Sequence, residues 1–174
     1  ENLIMFDCSS LSDEAMERLY QLLKRDHSIK FLIGYAASLA AIAFYFDRKG
    51  YTPDMFNIEV VTSTAERLES SVKSLLKKVF GCTVISRYSN RENGVLAQQP
   101  VDGDHFIFNT AHYYFETLCL DSDQPAPYGE PARLVLTDLY NYATPFIRYD
   151  TEDIVIPAVL RIKGSETKVL KDIS

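Results

Sequence analysis

The chain is short of the features that mark specialised protein classes. Among 174 residues there are seven glycines and seven prolines, too few for a collagen-like chain or a flexible linker. Its three cysteines, Cys8, Cys82 and Cys119, are odd in number and far apart, with no CxxC or histidine-rich spacing. That pattern argues against a disulfide framework or a zinc site and for reduced thiols in a cytoplasmic protein. No apolar run approaches the roughly 20 residues that cross a bilayer; the longest, 36–46, stops at Asp47-Arg48-Lys49. A positive excess is also missing. Lys+Arg number 18 against Asp+Glu 24, a net charge of −6, whereas a nucleic-acid partner demands surplus cationic side chains. Ser-His-Asp elbow, HExxH and GxxxxGK[ST] patterns are absent, so hydrolase, zincin and P-loop readings have no anchor. There is no initiator Met, no basic-plus-apolar leader and no recognisable terminator at 168–174, and both ends are expected to lie inside a longer protein.

What is present is a folding sequence. Apolar residues make up 47% of the chain and aromatic ones 12%, enough to bury one ordinary core and to exclude disorder. Between Asp7 and His27 the pattern is helical, with Ser12 as N-cap, Asp13 and Glu14 in the first turn, and Met16, Leu19, Tyr20 and Leu23 on one face. Ile29-Lys30-Phe31-Leu32-Ile33 reads as a buried strand ending at Gly34. A helix over 38–48, apolar almost all round, closes at Gly50. Ile58-Glu59-Val60-Val61-Thr62 is a second strand. Ser63 and Glu66 have capping-box spacing, which predicts that the third helix starts there. Leu68, Val72, Leu75, Leu76 and Val79 form its stripe and Gly81 its end, before a third strand at 83–86.

Strand–helix–strand–helix–strand with short connections predicts an α/β fold with a parallel sheet and right-handed crossovers over 1–100. Ligands collect at the carboxyl ends of such strands. Here those ends are Gly34-Tyr35, Thr62-Ser63-Thr64 and Arg87-Tyr88-Ser89-Asn90, all rich in hydroxyl and amide groups. After residue 100 the periodicity changes. Short strands at 105–109, 113–118, 133–137, 146–149 and 154–156, separated by turns, predict a β-rich subdomain over 101–174.

Four ordered segments carry the remaining polar residues. They are Tyr88-Ser89-Asn90-Arg91-Glu92-Asn93-Gly94, then Asp104-His105 with Glu116, then Gly129 to Leu139, and Pro145-Phe146-Ile147-Arg148-Tyr149-Asp150-Thr151-Glu152-Asp153. In order and spacing the chain from Ile33 to Asp153 resembles the adenylate-forming enzymes, specifically the phenylacetate–CoA ligase branch and its relatives in capsular polysaccharide biosynthesis. That branch has a Gly-Tyr-x-Ser helix start, a strand into Ser/Thr-x-x-Glu, a Tyr-Gly-x-Thr-Glu loop, a Gly-Glu-x-Val-x-Thr strand and Pro-x-x-Arg-Tyr-x-Thr-Gly-Asp. The resemblance implies part of the large N-terminal domain of an ATP-dependent, AMP-forming ligase. The phosphate loop would lie upstream and the lysine-bearing lid downstream, so this piece alone is expected to be inactive.

The resemblance also assigns roles. Tyr88 would lie against the adenine with Ser89 beside it among the nucleotide-binding residues, Glu92 would bind Mg²⁺ on ATP, and Asp153 would accept hydrogen bonds from both ribose hydroxyls. Ser63, Thr64 and Ala65 would border the adenine pocket, and Gly34 and Tyr35 the acyl pocket. ATP and Mg²⁺ are the implied cofactors, CoA is a candidate co-substrate, and a small carboxylate is the implied partner. Neither nucleic acid nor a membrane span is expected, and a homo-oligomer is left open. Three positions depart from the pattern. Ser89 stands where the family has Gly, Arg91 where a Thr meets the α-phosphate, and Glu152 where a Gly precedes the ribose carboxylate. Arginine can contact a phosphate bidentately. Arg91 and Glu152 also motivate a second expectation, a non-catalytic binding module that keeps the fold.

Plainer roles stand beside these. Tyr88 could be a strand-end aromatic, Glu92 a solvated loop acid, and Asp153 an ion-pair partner of Arg148. Glu66 reads better as a helix cap than as a ligand contact. His105 and Glu116 have core or surface roles open to them, His27 and His112 are taken as structural, and Tyr113-Tyr114 as β packing.

Overall fold

Ser12 starts the first helix of the computed structural model, which describes residues 3–162 and 164–173. Both chain ends, Glu1-Asn2 and Ser174, lie outside the described residues. The Ser12 hydroxyl accepts the Ala15 N–H at 3.3 Å, and α1 (Asp13–Arg25) carries acids in its first turn and Lys24 and Arg25 in its last. Both choices complement the helix dipole. Its buried face is the expected one, Met16, Leu19, Tyr20 and Leu23, with Ala15.

Two compact units divide between Ser86 and Arg87. In the first, strand β1 (Phe31–Tyr35) runs directly into α2 (Ala36–Arg48), and β2 (Val60–Thr64) pairs with β1 in parallel. After α2 the chain passes a 3-10 turn at Pro53–Met55. Phe46, fully buried, is ringed by Tyr20, Tyr51, Phe56 and Phe80 with centroids 5.4–6.2 Å away. Helix α3 (Ser70–Phe80) adds Leu76, Val79 and Phe80 to that core.

The capping box predicted at Ser63 is not formed. Ser63 belongs to β2 and is fully buried, and α3 begins only at Ser70, behind Glu69, which makes no side-chain cap. The run Val60-Val61-Thr62 favours extended backbone and carries the strand through Thr64. Glu66 does cap a helix, but another one: its Oε2 accepts the Ala37 N–H at 2.8 Å at the start of α2. Tyr35, at the N-cap position there, makes no side-chain cap, so a long-range carboxylate does the work of the local one.

Strand β3 (Thr83–Asn90) crosses the division between the units. The second unit is built from β4 (Gly94–Gln98), β5 (Phe106–Phe108), β6 (Tyr113–Leu118), β7 (Ala132–Asp138), β8 (Tyr149–Ile162) and β9 (Ser165–Ile173). The nine strands hydrogen-bond in the order β1-β2-β3-β4-β5-β9-β8-β7-β6. From the β3–β4 pair onward the described pairings are antiparallel. The expected α/β part followed by a β-rich part is therefore what the chain forms. Two short strands expected at 146–149 and 154–156 become the single long β8, with Phe146 outside it. Strand β9 carries no one-sided alternation because neighbouring Val169 and Leu170, which point to opposite faces of the sheet, are both buried. Among the described residues no helix is long and apolar enough to cross a membrane.

Gly81 ends α3 in the left-handed region at φ +62°, and a Cβ there would meet Pro53 Cβ at 2.8 Å. Gly81→Ala is expected to destabilise the protein by about 1–3 kcal/mol, from backbone strain and overpacking together. Urea unfolding measures it, and an unchanged midpoint would contradict the assigned turn.

Candidate functional site

In the first unit the parallel register sets Gly34 opposite Ser63 and Tyr35 opposite Thr64, so two of the candidate segments are adjacent at the carboxyl ends of β1 and β2. Ser63 is 0% exposed, and neither its hydroxyl nor that of Thr62 has a hydrogen-bond partner among the described residues. Tyr35 is exposed. Ala65 turns the chain out of β2 with φ +64°, a left-handed conformation uncommon outside glycine. The Glu66 carboxylate on Ala37 N–H then puts negative charge at the start of α2.

The second unit gathers the other candidates around an irregular stretch of β8. Val135 pairs with Asp150 and Arg133 with Ile154, so Thr151, Glu152 and Asp153 stand opposite the single residue Leu134. This wide bulge is pinned along its length. The Thr151 hydroxyl donates to Leu134 O at 3.0 Å, and Glu152 N–H to Asp150 Oδ1 at 3.0 Å. Asp153 N–H donates to Thr151 Oγ1 at 3.3 Å. Glu152 sits at φ +63°, at the position where the family pattern has glycine. The bulge aims the Asp153 carboxylate at Tyr88, whose hydroxyl donates to Asp153 Oδ2. No described residue donates to Oδ1.

Tyr88 lies on β3 beside its own irregularity, a register shift between Tyr88 and Ser89. Burial, and then the hydrogen bond to Asp153, push its hydroxyl well above the ordinary tyrosine range. Beyond Asn90 the chain reverses in a tight turn. Asn90 Oδ1 accepts the Asn93 N–H at 2.8 Å, and the Tyr113 hydroxyl donates to Asn93 O. Arg91 and Glu92 are exposed on that turn, and neither pairs with a described charge. Glu92 is near Tyr149: burial and then the carboxylates of Glu92, Glu152, Asp153 and Asp150 raise the Tyr149 hydroxyl. Tyr88, Asp153 and Glu92 thus belong to one neighbourhood, with Tyr149 among the acids.

The plainer pairing of Asp153 with Arg148 does not occur. Arg148 Nε contacts Glu116 Oε2 at 3.1 Å, and Nη1 lies 3.7 Å from Asp123 Oδ2. Tyr113 is buried as expected, while Tyr114 is exposed. The His112 ring lies tilted against those of Tyr113 and Tyr140. His105 Nε2 is buried without a hydrogen-bond partner among the described residues. Sequence reasoning passed over Tyr149, Arg133 and the supporting roles of Asp150 and Thr151. The available signal was an arginine inside the otherwise apolar strand Ala132-Arg133-Leu134-Val135-Leu136.

Chemically, a free acceptor oxygen beside a tyrosine ring suits a ligand with an aromatic ring and hydroxyl donors. A single unpaired carboxylate at Glu92 suits a hard cation held mainly by ligand phosphates and water. Among the described residues no group of three or more His, Cys, Asp or Glu is placed to hold a metal on its own.

No family model matches the chain, and a search of curated proteins finds no match. Solved structures do match. A 2-hydroxyisobutyryl-CoA ligase in an open conformation, in complex with 2-HIB-AMP and CoA, superimposes with a TM-score of 0.81 at 17% identity over 98% of this chain. The anthranilate CoA ligase AuaEII in complex with anthranoyl-AMP gives 0.64 at 12% identity over 87%. A benzoate CoA ligase from Burkholderia xenovorans LB400 gives 0.63 at 14% identity over 89%. The fold is that of part of the N-terminal domain of adenylate-forming ligases. This chain spans 38%, 34% and 33% of those three proteins, so the adenylate-forming fold is present here as a portion.

Tyr88→Phe is expected to cost about 1.5–3 kcal/mol, the worth of a hydrogen bond to a charged acceptor. It also changes the alkaline limb. Because the folded Tyr88 ionises above its unfolded value, its contribution is complete below about pH 10 and is lost as pH rises further. Chemical unfolding from pH 9 to 11 should show a shallower loss of stability in the variant, and equal slopes would contradict a neutral Tyr88 donating to Asp153.

Proposed function

We propose that the whole protein is an ATP-dependent, AMP-forming ligase of the phenylacetate–CoA ligase branch, acting in capsular polysaccharide biosynthesis. The observation that carries the reading is the pinned β8 bulge, which presents Asp153 beside Tyr88 in a unit of the adenylate-forming fold. Tyr88 lies against the adenine, and Asp153 uses its free Oδ1 for the ribose hydroxyls. Glu92 binds the Mg²⁺ of the nucleotide, a cation that offsets phosphate charge, and Arg91 contacts phosphate. In the first unit Ser63, Thr64 and Ala65 serve the adenine and Gly34 and Tyr35 the acyl group.

The reaction follows from these roles. A substrate carboxylate oxygen attacks the α-phosphorus of ATP, the bond to the bridging oxygen breaks, and pyrophosphate leaves. The thiol of CoA, or another acceptor, then attacks the acyl carbon of the adenylate, loses its proton and expels AMP. This chain's residues work by positioning and by fixed charge rather than by covalent catalysis.

A second reading, a module that keeps the fold without competent nucleotide binding, is favoured by Glu152, which sets a second acid next to Asp153. Calorimetry of the full-length protein with Mg·ATP separates the two, since no binding at millimolar ATP selects the second. Under the first, Glu92→Gln and Asp153→Asn in the full-length protein should each lower carboxylate-dependent pyrophosphate release by at least about tenfold. Unchanged rates in both would overturn the assignment.

A further inference from the structure

We infer that Arg133 is a positioning residue for ribose recognition: by clamping Asp150 it fixes the bulge that presents the Asp153 carboxylate. The inference rests on the reading of Asp153 as the ribose acceptor and adds to it a residue outside the motifs that suggested that reading.

Arg133 is on β7, one residue before Leu134, the position the bulge stands opposite. Its side chain is 24% exposed, and its donors are divided between two structures. Nη1 holds Asp150 Oδ2 at 2.6 Å. Nε donates to Cys119 O at 3.1 Å, Nη2 to Ser122 O at 3.2 Å, and Nη2 also pairs with Asp123. The planar guanidinium therefore ties the foot of the bulge to the 119–123 loop, a geometry that a lysine ammonium cannot reproduce. Asp150 passes the constraint on. With Oδ2 held by Arg133, its Oδ1 accepts the Glu152 N–H, the amide of the residue forced to φ +63°. That conformation is unfavourable for glutamate and needs a fixed acceptor to persist. Asp153 follows immediately, so the direction of its carboxylate depends on Asp150, and Asp150 depends on Arg133. The clamp also neutralises one of the four acids around Tyr149, which lowers repulsion on the Asp153 carboxylate.

The test compares binding of ATP and of its 2′,3′-dideoxy analogue to the full-length protein by calorimetry, with thermal melting to confirm folding. Wild-type protein should prefer ATP on the order of tenfold, the effect of hydrogen bonds to a charged acceptor. Arg133→Met should bring the ratio close to one by weakening ATP binding, with the dideoxy analogue little changed. Arg133→Lys should restore the ratio only in part. Asp150→Ala should behave like Arg133→Met, and Asp150→Asn, which keeps an oxygen for the Glu152 N–H but turns an N–H donor toward Arg133 in place of Oδ2, should lose part of the preference. Asp150→Ala also leaves the Arg133 bonds to the 119–123 loop in place, so it reads the same link if Arg133→Met fails to fold. Equal weakening of both nucleotides by Arg133→Met would make its role merely structural and overturn the inference. An unchanged ratio in Arg133→Met and Asp150→Ala, with the ratio lost in Asp153→Asn, would overturn it while leaving Asp153 as the ribose acceptor. Wild-type protein that does not distinguish the two nucleotides would overturn both.

Discussion

The hydrogen bond from the Tyr88 hydroxyl to the Asp153 carboxylate is the constraint on which the candidate site depends. It joins two irregularities that have no other reason to coexist, the register shift of β3 at Tyr88/Ser89 and the wide bulge of β8. Left to local preference, Glu152 would not adopt φ +63°, a conformation costing about 1–2 kcal/mol for a residue with a Cβ. Against that stand the bond from Thr151 to Leu134 O, worth about 0.5–1.5 kcal/mol net, and those from Glu152 N–H to Asp150 and from Tyr88 to Asp153, each to a carboxylate and worth about 1.5–3 kcal/mol. The sum favours the bulge. Remove its anchors and the strand gains a regular ladder and loses the geometry.

Charge then decides what such a geometry can hold. Asp150, Glu152, Asp153 and Glu92 surround Tyr149, a set that repels a bare phosphate and accepts hydroxyl donors. Within the second unit Arg133 offsets Asp150 and also pairs with Asp123, while Arg148 is committed to Glu116. Arg91 is left as an exposed cation on the turn that carries Glu92. A nucleotide approaching this surface would find acceptors for its sugar. Its phosphates would need Arg91 and a bound cation to offset the acids. The net charge of −6 therefore weighs against a polyanionic partner, whose every phosphate needs a counter-charge, more than against one nucleotide carrying its own metal.

Much of the fold was legible because local signals and tertiary needs agreed. Ser12, the stripe from Met16 to Leu23, and Gly81 each act as their positions suggest. Where the two disagreed, the long-range partner won. Ser63 and Glu66 have the spacing of a capping box, yet the strand keeps Ser63 and α2 takes Glu66. No window of sequence could show this, because the deficit that Glu66 answers is the missing side-chain cap at Tyr35, 31 residues earlier in the chain. The site was legible in a similar, partial way. Tyr88 and Asp153, both candidates from the sequence, are brought together. Arg133 was not evident as a member, because its partners are a carboxylate on another strand and two loop carbonyls. Strand β9 escaped notice because both of its faces are covered at Val169 and Leu170, so its burial does not follow a period of two.

Among the described residues three non-glycine positions take positive φ: Ala65, Arg148 and Glu152. All three fall in segments where sequence reasoning had already placed candidate chemistry, Ala65 after Ser63-Thr64 and the other two around Asp150 to Asp153. Backbone of this kind persists only where surrounding structure over-determines it, and here the determinants are visible: Thr137 Oγ1 accepts the Arg148 N–H at 3.0 Å, as Asp150 accepts that of Glu152. Glu152 thus follows a left-handed backbone path on fixed hydrogen bonds and sets one further negative charge beside the Asp153 carboxylate. Glycine makes the turn because nothing opposes it, and glutamate makes it because Asp150, held in turn by Arg133, leaves its amide a partner in that conformation.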